Sequence, residues 1–514
     1  MILEHRQAVV VGSGLAGATV ALSLSPLDTL VISKTAGPVS GSTPWAQGGV
    51  AFPRDEADKP LHIQDTLVSG AGLGEASAVG FLIDRAPAAR AWLESQGVLF
   101  DRDTDGQYLY GREGAHSSRR ILHVGGDGTG AELARHFSAR LQQTPHVTFR
   151  PRTMALRLVP GGLLTFQADR GLVLILSPRI FLAGGGLGQL FDATTAPVEG
   201  TGDTIALALE AGASVTDLEM VQFHPTALGT RGPASASLSL LTEALRGEGA
   251  VLVTSDGSKQ IVPLDTGHPL GSLGPRDVLS RAIWSRQAAG HPVWLDARGV
   301  SDLKRKFPTV TRLCADVGLD PTADLLPVVP AAHYTMGGIV TDLNGRTSLA
   351  GVWAAGENAR TGIHGGNRLA SNSLLECVVF GRAAAADTQE ALPPATLSEE
   401  AARAVVTGLA AWKLPHPSKS AWIKGQVVAS VSRAAGPVRW GPQLEAGLDT
   451  LASLRGEWDK AASGGRPLAD LTFDETRTIL EARNLLLLGH EVLTQALARK
   501  TSLGAHFRGD EDRG

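Results

Sequence analysis

The sequence predicts an α/β protein: a Rossmann-like dinucleotide-binding domain, an α+β capping domain inserted into it, and a C-terminal helical bundle. Three observations lead there. A short apolar strand near the N-terminus runs into a glycine turn and then a helix. A stretch rich in proline, glycine and polar residues interrupts the βα texture between residues 221 and 333. After Pro393-Pro394 the chain turns helical and strand-poor. The expected domains are residues 1–220 with 334–390, then 221–333, then 391–514.

Ala8-Val9-Val10-Val11 forms the first predicted strand, Gly12-Ser13-Gly14-Leu15-Ala16-Gly17 the turn, and a helix follows to residue 24. Residues 29–33 form the next strand, which completes a βαβ unit. Residues 172–176 and 179–183 read as two more strands, the second ended by Gly184-Gly185-Gly186. A helix is predicted over 204–211, opened by Thr201-Gly202-Asp203 and closed by Gly212. Texture of the βα kind returns at Gly351-Val352-Trp353-Ala354-Ala355-Gly356-Glu357. A long helix is predicted over 473–500, and the charged tail 508–514 is predicted to fray.

Composition narrows the function. The 514 residues are 43% hydrophobic and 19% charged, so a large core forms without covalent staples. Two cysteines, Cys314 and Cys377, lie far apart with no CxxC, which supports neither a disulfide framework nor a metal site. They are expected as free thiols in a reducing compartment, the cytoplasm. The net charge of -4 has no basic block, so nucleic acid is not an expected partner. No apolar stretch approaches the roughly 18 residues of a membrane span.

The glycine turn has the context its motif needs, after a strand and before a helix. Gly12 permits the tight turn, Gly14 lets backbone approach a pyrophosphate, and Gly17 lets helix and strand pack closely. Ser13, Leu15 and Ala16 complete the turn, whose helix N-terminus presents N–H groups to phosphate. An acidic residue normally follows about 20 residues on to hold the ribose. Here the strand ends in Ser33-Lys34, which disfavours NAD and leaves Lys34 for a phosphate or ribose. Gly185, Asp203 and Glu357 sit on later loops that can hold a longer cofactor such as FAD, with Glu357 accepting from ribityl hydroxyls. The N-terminus of a helix starting near Ser373-Leu374 would face the flavin pyrimidine edge.

At Ser42-Thr43-Pro44-Trp45-Ala46-Gln47-Gly48-Gly49 the chain resembles the flavoprotein family of succinate dehydrogenase, fumarate reductase and L-aspartate oxidase. The resemblance runs over residues 7–385 and again in the C-terminal helices. Further segments carry it: Gln222-Phe223-His224-Pro225-Thr226, Thr242-Glu243-Ala244-Leu245-Arg246-Gly247-Glu248-Gly249, Gly274-Pro275-Arg276-Asp277-Val278, His333-Tyr334-Thr335-Met336-Gly337-Gly338, and the run from His364 to Leu374. It implies FAD as cofactor, with Ser42, Thr43, Ala46, Gln47, Gly48 and Gly49 along it. Members that bond FAD covalently have a histidine where this chain has Ser42, so FAD is expected to be non-covalent.

The segment from Gly111 to His123 resembles the L-aspartate oxidase version, with Glu113 where the succinate and fumarate enzymes have a neutral glutamine. A carboxylate pairs with the ammonium of aspartate and repels the dianion succinate. The competing reading is an ion pair of Glu113 with Arg119 or Arg120 on the surface. The resemblance implies that Arg368 and His333 hold one substrate carboxylate, and His224 with Thr242 the other. It also implies that Arg276, Glu243 and Arg246 form a proton relay in which Arg276 is the acid or base. The expected reaction is hydride loss from Cα of L-aspartate to flavin N5, giving iminoaspartate. Oxygen or fumarate would reoxidise the flavin, and quinolinate synthase would consume the product on the route to NAD. The rival expectations are a soluble fumarate reductase or succinate-oxidising flavoprotein, and a flavin-binding subunit without chemistry.

Overall fold

The computed structural model describes residues 2–38, 40–230, 237–255, 260–388 and 399–511. The predicted βαβ unit forms as Ala8–Val11, the helix Leu15–Ser23 and Thr29–Ile32. It belongs to a five-stranded sheet in the order Val352–Ala354, Ile180–Leu182, Ala8–Val11, Thr29–Ile32, Val147–Arg150. All four pairings are parallel. Such a sheet is buried on both faces, which explains the unbroken apolar runs Ala8–Val11 and Thr29–Ile32. One face packs the helices Leu15–Ser23, Ala76–Ser95 and Asn372–Asp387, and the other a second sheet.

That second sheet has four strands in the order Ile2–His5, Gly171–Leu176, Gly162–Gln167, Thr153–Val159. Its edge strand Ile2–His5 is not apparent from the sequence, because the strand is polar at its end. It is fixed by pairing with Gly171–Leu176 and by Glu4, which accepts from Arg6 and Arg150 at 2.8 Å.

A five-stranded antiparallel sheet runs Val221–Leu228, Leu326–Thr335, Val293–Asp296, Val251–Ser255, Ile261–Pro263. The helices Arg276–Ala288 and Pro308–Ala315 accompany it, around a core that includes Leu252, Leu279, Ile283 and Leu295. The strand Leu326–Thr335 puts His333 in the same sheet as His224 and continues two residues past the expected boundary at 333.

The strand-poor C-terminal part contains Glu399–Ala410, Pro417–Ala434, Gly441–Ser463 and Phe473–Ala498. The last helix is opened by a capping box of Thr472 and Glu475, and buries Leu485, Leu488 and Val492 against Leu187, Leu190 and Ile205. The expected fraying of the tail is corrected for its described part. Arg508 is buried, bonds to Asp510 and Ser502, and Gly509 donates to the Arg439 carbonyl. Charge in a tail predicts solvation only when nothing pairs with it, and here Asp510 does. Residues 512–514 lie outside the described part. No helix among the described residues is long and apolar enough to cross a membrane.

Candidate active site

One cavity of about 920 Å³ collects nearly all the candidate residues. Its walls come from the glycine turn, the loop 42–49, the loop after Ile180–Leu182, the strands of the inserted sheet, and the start of Asn372–Asp387.

The glycine turn is built as its spacing requires. Gly12 has φ +112°, and a Cβ there would overlap the carbonyl oxygen of Ala183. A Cβ at Gly17 would overlap the carbonyl of Gly12, so helix and turn pack backbone to backbone. At Gly14 the nearest atom to such a Cβ is Thr43 Oγ1 at 3.3 Å, on the cavity side. Thr43 Oγ1 also accepts from the Leu15 N–H at 3.0 Å, locking the loop 42–49 onto the helix start. Ser13, Leu15, Ala16, Ser42, Ala46, Gln47, Gly48, Gly49, Gly185, Ser373 and Leu374 line the same cavity.

Lys34 lines it too, but its ammonium is otherwise engaged. It donates to Thr201 Oγ1 at 2.7 Å, Asp203 Oδ2 at 2.6 Å and Glu481 Oε1 at 2.8 Å. An ammonium has three donors, so none is left over for a phosphate in this arrangement. Asp203 brings to the end of Thr29–Ile32 the carboxylate that the local sequence lacks. Glu357 is half-buried in the cavity wall, and its Oε1 accepts from the Thr335 N–H at 3.1 Å. Burial pushes its pKa up to about 7.

The substrate side is polar, and most of its charged side chains are buried. Glu113 is 4% exposed and accepts from Ser371 Oγ at 2.7 Å, which removes the surface-pair reading. Arg120 instead bonds Asp58 at 2.9 Å and Asp65 at 2.5 Å. Burial, then the Glu243 charge, raises the Glu113 pKa against the opposing pull of Arg276 and Arg368. Arg368 stacks over Tyr334, 4.3 Å from the ring centroid, and donates to Ser373 Oγ at 3.0 Å. Burial and Arg276 bring its pKa down to about 10.

His224 and His333 meet edge to face with centroids 5.1 Å apart. Burial and Arg276 push both pKa values well below the usual imidazole range, so both rings are neutral. His224 Nδ1 accepts from the Thr226 N–H at 3.2 Å, which places the ring proton on Nε2. His333 Nδ1 pairs with Thr195 Oγ1 at 2.8 Å. Thr242 is buried in the cavity wall, where its Oγ1 accepts from the Ala244 N–H at 3.4 Å.

Arg276, Glu243 and Arg246 do come together. Arg276 Nε donates to Glu243 Oε2 at 2.7 Å, and Arg246 Nη2 lies 3.5 Å from Glu243 Oε1. Burial would raise the Glu243 pKa, but Arg276 and Arg246 outweigh it and hold it at about 2. Arg246 lies at the outer end of this chain and lines no part of the cavity, whereas Glu243 and Arg276 do.

Sequence reasoning did not single out Gln222, Ser371 or Thr195, although the first two stand inside matched segments. Gln222 Oε1 accepts from Arg276 Nη1 at 2.9 Å while its Nε2 donates to the Arg368 carbonyl at 2.8 Å, so one amide spaces both arginines. Ser371 has φ +61°, a conformation rare for a residue with a side chain.

Four residues that line the cavity carry buried polar atoms without a partner among the described residues: His224 Nε2, Arg368 Nε, Gln47 Oε1 and Thr204 Oγ1. Unpaired buried donors and acceptors are costly, so their convergence on one cavity marks a place for polar ligands. The glycine turn at one end and the two arginines at the other fit a dinucleotide and an anionic substrate.

Comparison with known proteins agrees. Residues 7–374 match the FAD binding domain family, and residues 426–513 match the fumarate reductase flavoprotein C-terminal family. The chain is a flavoprotein with FAD as its cofactor. It is 42% identical to an L-aspartate oxidase of Mycobacterium tuberculosis, over 98% of this chain and 92% of that one. It is 39% identical to an L-aspartate oxidase of Streptomyces coelicolor, over 98% and 88%. A quinol fumarate reductase of E. coli superposes with a TM-score of 0.88 at 30% identity, covering 100% of this chain and 92% of the other. Within the flavoproteins, the chain belongs to the L-aspartate oxidase family.

Proposed function

We propose that this protein oxidises L-aspartate to iminoaspartate. The observation that carries the reading is Glu113, a buried carboxylate in the same cavity as Arg276, Arg368 and the neutral histidines: the neighbouring Glu243 is ion-paired to Arg276 and Arg246, whereas Glu113 accepts from the Ser371 hydroxyl. A site for a plain dicarboxylate has no use for an added negative charge. A site for a dicarboxylate bearing an ammonium does.

Arg368 with His333 holds one carboxylate, and His224 with Thr242 holds the other. The neutral His224 donates through Nε2. Arginine suits the task because its planar fork meets both oxygens of a carboxylate. Glu113 is the counter-ion of the ammonium, and Ser371 orients it. Overall, Cα gives up its hydrogen with the bonding electron pair, nitrogen gives up a proton, and the C=N bond forms. FAD, when bound, supplies the acceptor for the hydride. The residues orient Cα, exclude water and balance charge. Arg276 contacts substrate and lies on the path by which a proton moves through Glu243 and Arg246. The same path would deliver a proton to fumarate, which favours fumarate beside oxygen as the electron acceptor.

FAD is held by the glycine turn, the loop 42–49, Gly185, Asp203, Glu357 and the helix start at Ser373-Leu374. It is held without a covalent bond, because Ser42 cannot form a histidyl link. The sheet of residues 221–333 caps the cavity and encloses substrate. Iminoaspartate hydrolyses unless a partner consumes it, so a quinolinate synthase on the route to NAD is the fitting acceptor. The free thiols Cys314 and Cys377 suit the cytoplasm.

The test is product analysis. L-aspartate should yield ammonia and oxaloacetate in equal amounts with consumption of oxygen or fumarate, and Arg276→Ala should lose turnover at saturating L-aspartate. Turnover of succinate with none of L-aspartate would overturn the reading.

A further inference from the structure

The last helix reaches back to the cofactor cavity. Glu481, on Phe473–Ala498, is 6% exposed and binds Lys34 at 2.8 Å. Three residues on, Asn484 Nδ2 donates to Asp203 Oδ1 at 2.8 Å. Residues three apart share a helix face, so one face of this helix touches both members of the Lys34–Asp203 pair. Lys34 and Asp203 line the cavity where the strand Thr29–Ile32 ends, the place where a dinucleotide fold holds its ribose.

The charges are arranged so that no partner is spare. Lys34 is shared between Asp203 at 2.6 Å and Glu481 at 2.8 Å. Glu481 is held in turn by Arg477 at 2.8 Å and Lys424 at 3.6 Å. Thr201 Oγ1 donates to Asp203 Oδ2 at 3.0 Å, beside a turn in which Gly202 adopts φ +67°. Without Glu481, Lys34 would fall fully onto Asp203, neutralise it, and pull the start of the helix Asp203–Glu210.

We propose that Glu481 and Asn484 are positioning residues for the ribose end of FAD, acting through Lys34 and Asp203, so that the C-terminal helices hold the cofactor in place. The role rests on FAD occupying this cavity. It gives the C-terminal helical part a task besides burying apolar surface.

Released flavin fluoresces, so dilution of the purified holoenzyme reads the FAD dissociation constant. Glu481→Gln keeps the shape and removes the charge. It should weaken FAD by about tenfold, a size expected for residues coupled in one ion-pair network. Because the effect passes through Lys34, it should vanish in a Lys34→Met background. Asn484→Ala serves as a second variant and should weaken FAD in the same direction. Thr472→Ala, which loosens the same helix away from this contact, should lower the melting temperature without changing FAD affinity. Unchanged FAD affinity in both Glu481→Gln and Asn484→Ala, or an equal loss with and without Lys34, would overturn the inference. A parental protein that binds no FAD would instead contradict the cofactor reading itself, and the inference with it.

Discussion

Glu113 shows how one residue sets specificity. Its carboxylate is buried against Ser371 and lies in the fields of Arg276 and Arg368. Charge-assisted hydrogen bonds contribute about 1.5–3 kcal/mol. Glu113→Gln should therefore raise the KM for L-aspartate by roughly 10- to 100-fold. Succinate should bind the variant more tightly, which inhibition kinetics would read; an unchanged ratio of the two ligands would return Glu113 to a structural role. A second residue-scale expectation concerns pH. Glu357 carries a pKa of about 7 in the folded protein, raised by burial. Its unfolded value is near 4.5. Between these values the folded carboxyl keeps a proton that the unfolded chain releases. Its contribution to stability is thus full below about pH 4.5 and lost as pH rises to about 7. The apoprotein should lose on the order of 3 kcal/mol across that window, and Glu357→Gln should flatten this part of the profile. At this scale the sequence was most legible where a residue stands inside a matched segment. Glu113, His224, Arg276, His333 and Arg368 all reach the cavity. Gln222 and Ser371 were missed because their roles lie in spacing two arginines and aiming a carboxylate, which no single residue type announces. Lys34 was read from its neighbours in the chain, and its three partners come from segments more than 160 residues away.

Among the elements, those with local signals were the ones visible in advance. The turn between Ala8–Val11 and Leu15–Ser23, the glycine after Asp203–Glu210, and the long helix Phe473–Ala498 follow from spacing and caps. The edge strand Ile2–His5 depends on long-range pairing with Gly171–Leu176, and the local hairpin of Thr153–Val159 with Gly162–Gln167 shows no alternation because its second strand is buried at every position, so periodicity did not reveal them. Two changes probe elements directly. Thr472→Ala removes one half of the capping box and should cost about 1 kcal/mol, read by thermal or urea unfolding. A Cβ at Gly114 would overlap Glu243 Oε1, because the segment carrying Glu113 lies directly on the Arg276–Glu243–Arg246 chain. Gly114→Ala should therefore displace Glu243 and lower kcat by more than about tenfold, while FAD affinity stays as it was. A variant with full kcat would show that Glu243 can move without loss and that the relay is not needed.

Across the whole molecule, the FAD-binding domain and the inserted sheet line one cavity where the cofactor is expected to bind, and the last helix touches its wall through Lys34 and Asp203. A ligand that binds only the folded state stabilises it in proportion to the logarithm of its concentration. FAD at about 100 times its dissociation constant should add about 2.7 kcal/mol to the apoprotein. Calorimetry at increasing FAD would read this, and a melting temperature independent of FAD would contradict the placement of the cofactor. The general plan was legible because strand, glycine turn and helix are local. The end of the inserted part was less so, because the strand Leu326–Thr335 continues past the expected boundary at 333. The central claim is that this cavity takes the electrons of an amino dicarboxylate. It is tested most directly by mixing the oxidised holoenzyme with L-aspartate in the absence of oxygen and fumarate, with succinate in parallel, and following the visible flavin absorbance. Bleaching by L-aspartate and not by succinate is the predicted result. Bleaching by succinate alone would contradict the account and remove the role given to Glu113.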